Sequence, residues 1–133
     1  ELFAATCLDA AERPPTEPTG LPFEVLVGRG EQAHDEVPEL PEGAATRGVG
    51  SVAYRLALLA EGRGNATLTG HGRSEWDVAA GAALCLAAGL RVTGVLGDDL
   101  EFNQPEPYVR GLLAAEPGLH GRLEAHFQHF RWR

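Results

Sequence analysis

From Trp76 to Leu90 almost every residue is apolar, with Ala79, Ala80, Ala82, Ala83, Ala87 and Ala88 joined by the bulkier Leu84 and Leu86. Alanine and leucine have the highest helix propensities, so the run predicts a helix, and a helix that is apolar all round is a buried one. Ser74 or Asp77 is expected to cap its start, and Gly89 to end it. Asp77 then lies in the first helical turn, where two readings are open. A carboxylate there complements the helix dipole, an effect worth ~0.3–1 kcal/mol. It can also join the free N–H groups of the turn in holding a cation and an anion such as phosphate.

The segments before this helix alternate strand and helix patterns. Residues 1 to 6 read as a short strand, and Pro14, Pro15 and Pro18 make the stretch from Ala10 to Gly20 a loop. Phe23, Val25, Leu26 and Val27 form a near-continuous apolar strand between Pro22 and Gly28, as in a parallel sheet buried on both faces. Glu31 to Leu40 is acidic and broken by Pro38, at best a short exposed helix. Its charges, Glu31, Asp35, Glu36, Glu39 and Glu42, read as a solvated face without metal-ligand spacing. Ala45 to Val49 is expected as a strand, followed by a helix from Gly50-Ser51 to about Glu61. Ser51 would be its N-cap, and Gly50 would let backbone approach a ligand. Arg55 on this apolar helix is either a snorkelling side chain or an anion contact.

Asn65 to Thr69 predicts a strand leading into Gly70-His71-Gly72-Arg73, next to the Asp77 helix. Arg73 offers bidentate guanidinium donors to a phosphate, or simply faces solvent. Nothing near His71 in sequence orients its imidazole. Arg91 to Leu96 and Leu100 to Phe102 suggest a hairpin turned at Gly97-Asp98-Asp99. Val109 to Ala115 reads as one further strand. Glu116-Pro117-Gly118 then opens a helix with Leu119, Leu123, Phe127 and Phe130 on one stripe, and His120, His126 and His129 as ordinary helix residues. Apolar strands alternating with apolar helices argue for an α/β fold, a mixed sheet covered by helices.

Composition narrows the function. The 133 residues suffice for one domain with a real core, and 44% hydrophobic with 23% charged residues is globular rather than disordered. A formal charge of −8 argues against binding a nucleic-acid polymer. A small anion remains compatible if a metal and a few arginines reverse the field locally. All 11 basic residues are arginine, and methionine is absent, which fits a fragment or processed product. Cys7 and Cys85 form no CxxC and read as buried thiols. No run reaches membrane-spanning length and no signal peptide is evident, so a cytoplasmic address is expected.

Ser74-Glu75-Trp76-Asp77-Val78-Ala79-Ala80-Gly81, preceded by Gly50-Ser51-Val52-Ala53-Tyr54-Arg55 through Glu61-Gly62, resembles the inositol monophosphatase superfamily, which includes the 3'(2'),5'-bisphosphate nucleotidases. The likeness continues through Ala87-Ala88-Gly89-Leu90, Phe102-Asn103 and Gly111-Leu112-Leu113 and starts as early as Glu1-Leu2-Phe3. It implies the C-terminal α/β half of a layered sugar-phosphatase fold, with residues 1–133 as one domain. The resemblance also implies a Mg²⁺-dependent phosphomonoesterase in which Asp77 is a metal ligand and Gly50 and Ser51 contact substrate. Arg55 and Arg73 complete the expected substrate-binding set.

The family's Glu-Glu pair and Asp-Pro-(Leu/Ile)-Asp-Gly-Thr motif are missing from this chain. The remaining ligands and the water-activating group are therefore expected from an N-terminal half, in the same or a separate chain. Alone, the chain should be inactive. Thr69-Gly70-His71-Gly72 lacks the glutamate that inositol monophosphatases use for sugar hydroxyls. A bisphosphate nucleotide is thus favoured over inositol phosphate, although Gly28-Arg29-Gly30-Glu31 departs from the nucleotidases' Ser-Arg-Ser-His. A homodimer is compatible with the resemblance. The alternative is a free-standing, non-catalytic binding or interaction module that keeps the fold.

Overall fold

The computed structural model describes residues 22–129. The expected strand at residues 1–6, the proline-rich loop, Cys7 and Phe130 lie outside the described residues. The architecture is α/β, as the alternation of apolar segments predicts. A five-stranded mixed sheet runs in the order β2-β1-β3-β7-β5. Its strands are β1 (Phe23–Val27), β2 (Ala44–Gly48), β3 (Ala66–Thr69), β5 (Arg91–Thr93) and β7 (Leu112–Ala115). β4 (Arg73–Ser74) and β6 (Tyr108–Val109) form a separate antiparallel ribbon. Among the described residues four helices accompany them: α1 (Arg29–Ala33), α2 (Val52–Ala60), α3 (Glu75–Ala87) and α4 (Pro117–Phe127).

Among the described residues, side-chain alternation along the strands builds two main cores, one on each face of the sheet, beside a smaller cluster of Leu26, Val49 and Leu58. Phe23, Val25 and Val27 of β1, Ala66 and Leu68 of β3, and Leu113 and Ala115 of β7 pack with Leu119, Leu123 and Phe127 of α4. Leu112 and Ala114, the alternate residues of β7, pack instead with Val52, Leu56 and Leu59 of α2 and Val78, Ala82 and Cys85 of α3. The predicted α4 stripe is therefore the packed face. β1 is buried because it lies between two parallel neighbours, β2 and β3.

The α2–α3 crossing depends on Gly81. A Cβ placed there would stand 2.6 Å from the Leu56 Cβ and 2.7 Å from its Cδ1, so the helices meet where one has no side chain. Gly81→Val should destabilise the chain by about 1–3 kcal/mol, the usual cost of overpacking. Gly81→Ala should cost less, because alanine recovers up to ~1 kcal/mol of helix propensity. Urea unfolding of the two variants tests this; a Gly81→Val protein as stable as wild type would show that the crossing has slack.

Three expectations need correction. α3 is not buried all round: Trp76 is 72% and Leu86 59% exposed, and Ala79, Ala80, Ala83 and Ala87 are exposed with them. Only the side carrying Val78, Ala82 and Cys85 meets α2 and the sheet. The 91–102 hairpin does not form. β5 pairs with β7, while Leu100 and Phe102 pack against the α2–α3 core as irregular chain. The expected 109–115 strand is divided, Val109 pairing with Arg73 and Leu112–Ala115 with β3 and β5. No described helix is long and apolar enough to cross a membrane.

Candidate functional site

The parallel part of the sheet dictates where a cleft opens. β1 leads through α1 to β2 on one side of it, and β2 leads through α2 back to β3 on the other. The chain thus steps outward from β1 to β2 and then returns across β1 to β3, and such a reversal in strand order parts the loops beyond the carboxyl ends of the strands. A cleft of about 380 Å³ lies there, lined by Gly28–Glu31 after β1, Gly50–Ala53 and Arg55 after β2, and Arg73 and Asp77 after β3. All five residues expected from the sequence, Gly50, Ser51, Arg55, Arg73 and Asp77, line this one cleft.

The first turns of two helices reach it. Ser51 is the N-cap of α2, its hydroxyl accepting the Tyr54 N–H at 3.3 Å. Its φ of 62° is left-handed, a conformation uncommon for a residue with a Cβ. Ser74 occupies the N-cap position of α3 without a side-chain cap bond. Asp77, in the first turn of α3, is exposed, and its carboxylate has no hydrogen bond or ion pair among the described residues.

The floor of the cleft is charged, and its central residue is Glu31. The sequence pattern puts Glu31 on a solvated face; instead it is buried while Asp35, Glu36, Glu39 and Glu42 remain exposed. α1 turns it inward, where it accepts the Gly28 N–H at 3.3 Å, the glutamate half of a capping box. Its carboxylate also accepts from the Thr69 hydroxyl and, at 3.0 Å, from Arg73 Nη2. Arg55 Nη1 lies 3.8 Å away. His71, for which the sequence offers no orienting partner, places Nδ1 3.4 Å from Glu31 and Nε2 3.5 Å from Glu36.

Burial by itself raises the Glu31 pKa, but the Thr69 hydrogen bond, the Arg55 charge, the Gly28 N–H and the Arg73 charge outweigh it, leaving the carboxyl below its ordinary value. Burial likewise lowers the Arg55 pKa, with Glu31 acting upward and Arg73 downward. A guanidinium starts so high that it stays cationic at neutral pH.

Arg55 is 1% exposed, and its Nε and Nη1 have no hydrogen-bond acceptor. It therefore neither snorkels nor satisfies itself within the fold. Arg73 does bond within the fold, through Nη2 to Glu31 and Nη1 to the Gly72 carbonyl. Arg29 adds a third guanidinium to the lining. Three guanidiniums thus face two carboxylates, Glu31 and Asp77, and reverse locally the sign of a chain whose net charge is −8.

The sequence model of the Inositol monophosphatase family matches residues 12–130. The chain belongs to this family. Its members are phosphatases. A curated relative, the 3'-phosphoadenosine 5'-phosphate phosphatase of Mycobacterium bovis, is 37% identical over 65 residues, 49% of this chain and 24% of the relative. Among solved structures, staphylococcal SaIMPase-II with inositol monophosphate bound superposes with a TM-score of 0.70 at 18% identity, over 86% of this chain and 45% of that one. CysQ from Bacteroides thetaiotaomicron gives 0.58 at 22% identity, over 74% and 38%. The likeness in structure shows the inositol monophosphatase fold. The chain thus covers less than half the length of each of these three relatives.

Proposed function

We propose that this chain supplies part of the active site of a Mg²⁺-dependent phosphomonoesterase acting on a small phosphorylated metabolite, with a 3'(2'),5'-bisphosphate nucleotide favoured over inositol phosphate. The observation that carries the reading is the convergence at one cleft of an unpaired carboxylate, Asp77, a buried guanidinium with two nitrogens lacking acceptors, Arg55, and the first turns of two helices. A phosphate ester needs those groups: free N–H dipoles and a guanidinium for its oxygens, and a carboxylate for the cation that accompanies them.

The residues present suit Mg²⁺ as a partial ligand set. Mg²⁺ is commonly held by one or two carboxylates with waters and substrate phosphate, and Asp77 is a free carboxylate of that kind. Among the described residues no group of three or more His, Cys, Asp or Glu side chains converges to hold a metal. On this reading the other protein ligands and the group that activates water belong to an N-terminal half. Mg²⁺, when bound, supplies charge neutralisation and a more acidic water. This chain's own part is to orient the ester. The α2 and α3 first turns direct N–H groups at phosphoryl oxygens, Gly50 and Ser51 touch the alcohol portion, and Arg55 takes an anionic oxygen. Arg73 acts mainly through Glu31, to which it is already bonded.

The exposed apolar face of α3, from Trp76 to Leu86 and Ala87, supports a second half docked on it rather than a free-standing module. The naming of the mycobacterial relative for 3'-phosphoadenosine 5'-phosphate supports the nucleotide preference. A cytoplasmic address is part of the same proposal. The test is phosphate release by the protein complete with its N-terminal half, from adenosine 3',5'-bisphosphate and from inositol monophosphate. Release should need Mg²⁺, stop on chelation and favour the nucleotide. Turnover that survives chelation, or none of either substrate, would overturn it.

A further inference from the structure

Five groups converge on the Glu31 carboxylate: the Gly28 N–H, the Thr69 hydroxyl and Arg73 donate hydrogen bonds to it, and Arg55 Nη1 and His71 Nδ1 stand 3.8 Å and 3.4 Å away. Backbone N–H, hydroxyl and paired guanidiniums are the groups with which proteins bind free oxyanions. Here a side chain of the same protein takes the oxyanion's place, next to an open cleft that it also lines. Arg55 is left with Nε and Nη1 lacking acceptors, so the nest retains donor capacity that Glu31 does not use. Glu36 stands 3.5 Å from the far side of His71.

We propose that Glu31 is a resident counter-ion occupying an oxyanion nest, and that it holds down the affinity of the cleft for free phosphate. A negative charge fixed among the cleft's guanidiniums opposes any anion bound to them. The role follows from the chemistry of the cleft. Three guanidiniums and two helix N-termini would otherwise retain inorganic phosphate, the product of phosphate-ester hydrolysis, and product release limits many enzymes. The functional meaning rests on the phosphatase reading; the nest itself rests only on the geometry of Glu31.

Titration calorimetry of inorganic phosphate into the wild-type chain, Glu31→Gln and Glu31→Ala is the test, with Glu42→Gln as an exposed control for the loss of one charge. Both Glu31 variants should bind phosphate at least about tenfold more tightly than wild type, and Glu42→Gln should not. Glu31→Ala should also gain thermal stability from added phosphate that wild type does not gain. Should a Glu31 variant fail to unfold cooperatively without anion, phosphate should restore its transition.

Equal or weaker binding in the folded variants, an equal gain in Glu42→Gln, or no restoration of an unfolded variant would overturn the proposal. A tightened nest in a complete protein that hydrolyses no phosphate ester would instead leave the nest standing and remove the phosphatase reading.

Discussion

Asp77→Asn in the protein complete with its N-terminal half should lower phosphatase turnover by about 10²–10³-fold, on the proposal that Asp77 is a metal ligand. Losing one anionic ligand removes a few kcal/mol of the charge stabilisation that a catalytic metal contributes, and each 1.36 kcal/mol is a factor of ten in rate. Asparagine keeps the shape and one oxygen but not the charge. The fold should be nearly indifferent. Asp77 is exposed and makes no ion pair or side-chain hydrogen bond among the described residues, so the substitution should shift stability by within about 1 kcal/mol through the helix dipole alone. Raising Mg²⁺ should recover part of the activity, as expected of a weakened ligand. Undiminished turnover at low Mg²⁺ would sink the assignment. An equal loss of stability and activity would make Asp77 a structural cap.

Stability should fall as the pH drops from about 6.5 to 4, and His120 should be the main cause. It is fully buried on α4. The Thr93 hydroxyl spends its proton on the Gly94 carbonyl at 2.7 Å, so the 2.8 Å contact between Thr93 and His120 is donated by Nε2–H. Nδ1 is then the bare nitrogen, with no hydrogen-bond partner and Glu124 3.5 Å away. Burial, and next the Arg91 charge, lower the pKa to about 4 against the upward pull of Glu124.

A group whose folded pKa is depressed binds its proton first in the unfolded chain, so its stabilisation is complete above the unfolded value and lost on the way down to the folded one. The interval from the ordinary 6.5 to about 4 corresponds to about 3 kcal/mol. Glu31 acts in the same direction at lower pH, below its ordinary 4.5, because its folded pKa is also depressed. Urea unfolding between pH 7 and 4 should show the loss in wild type and a flatter profile in His120→Asn. Parallel profiles would assign the acid sensitivity to other groups.

What the sequence made legible follows from the range of the interactions. β1, α2, α3 and α4 were readable because their apolar patterns and the Ser51 and Gly89 signals are local. The hairpin was misread because Leu100 and Phe102 have strand-like character but find their apolar partners on α2 and α3, while β5 finds its hydrogen bonds in β7. The Trp76-Asp77 signature and Gly50-Ser51 marked the cleft through resemblance, and only the fold puts them side by side. Glu31 was missed for the same reason. Thr69, His71, Arg73 and Arg55, which bury it, are remote in sequence, and a glutamate among Asp35, Glu36 and Glu39 looks like surface. The one available hint was its position three residues after Gly28, at the start of a helix.

β7 supplies Leu112 and Ala114 to one core and Leu113 and Ala115 to the other, and every one of these side chains is buried. It reaches β3 only across β4, α3, β5 and β6, so β3 and β7 pair over a long stretch of intervening chain. Until that pairing is made, neither layer of helices has a complete surface to rest on. A chain ending before Leu112 holds α2, α3 and the parallel strands β1, β2 and β3, but its two apolar faces are completed only when β7, and α4 behind it, arrive, so the last fifth of the chain carries the contacts on which the rest closes.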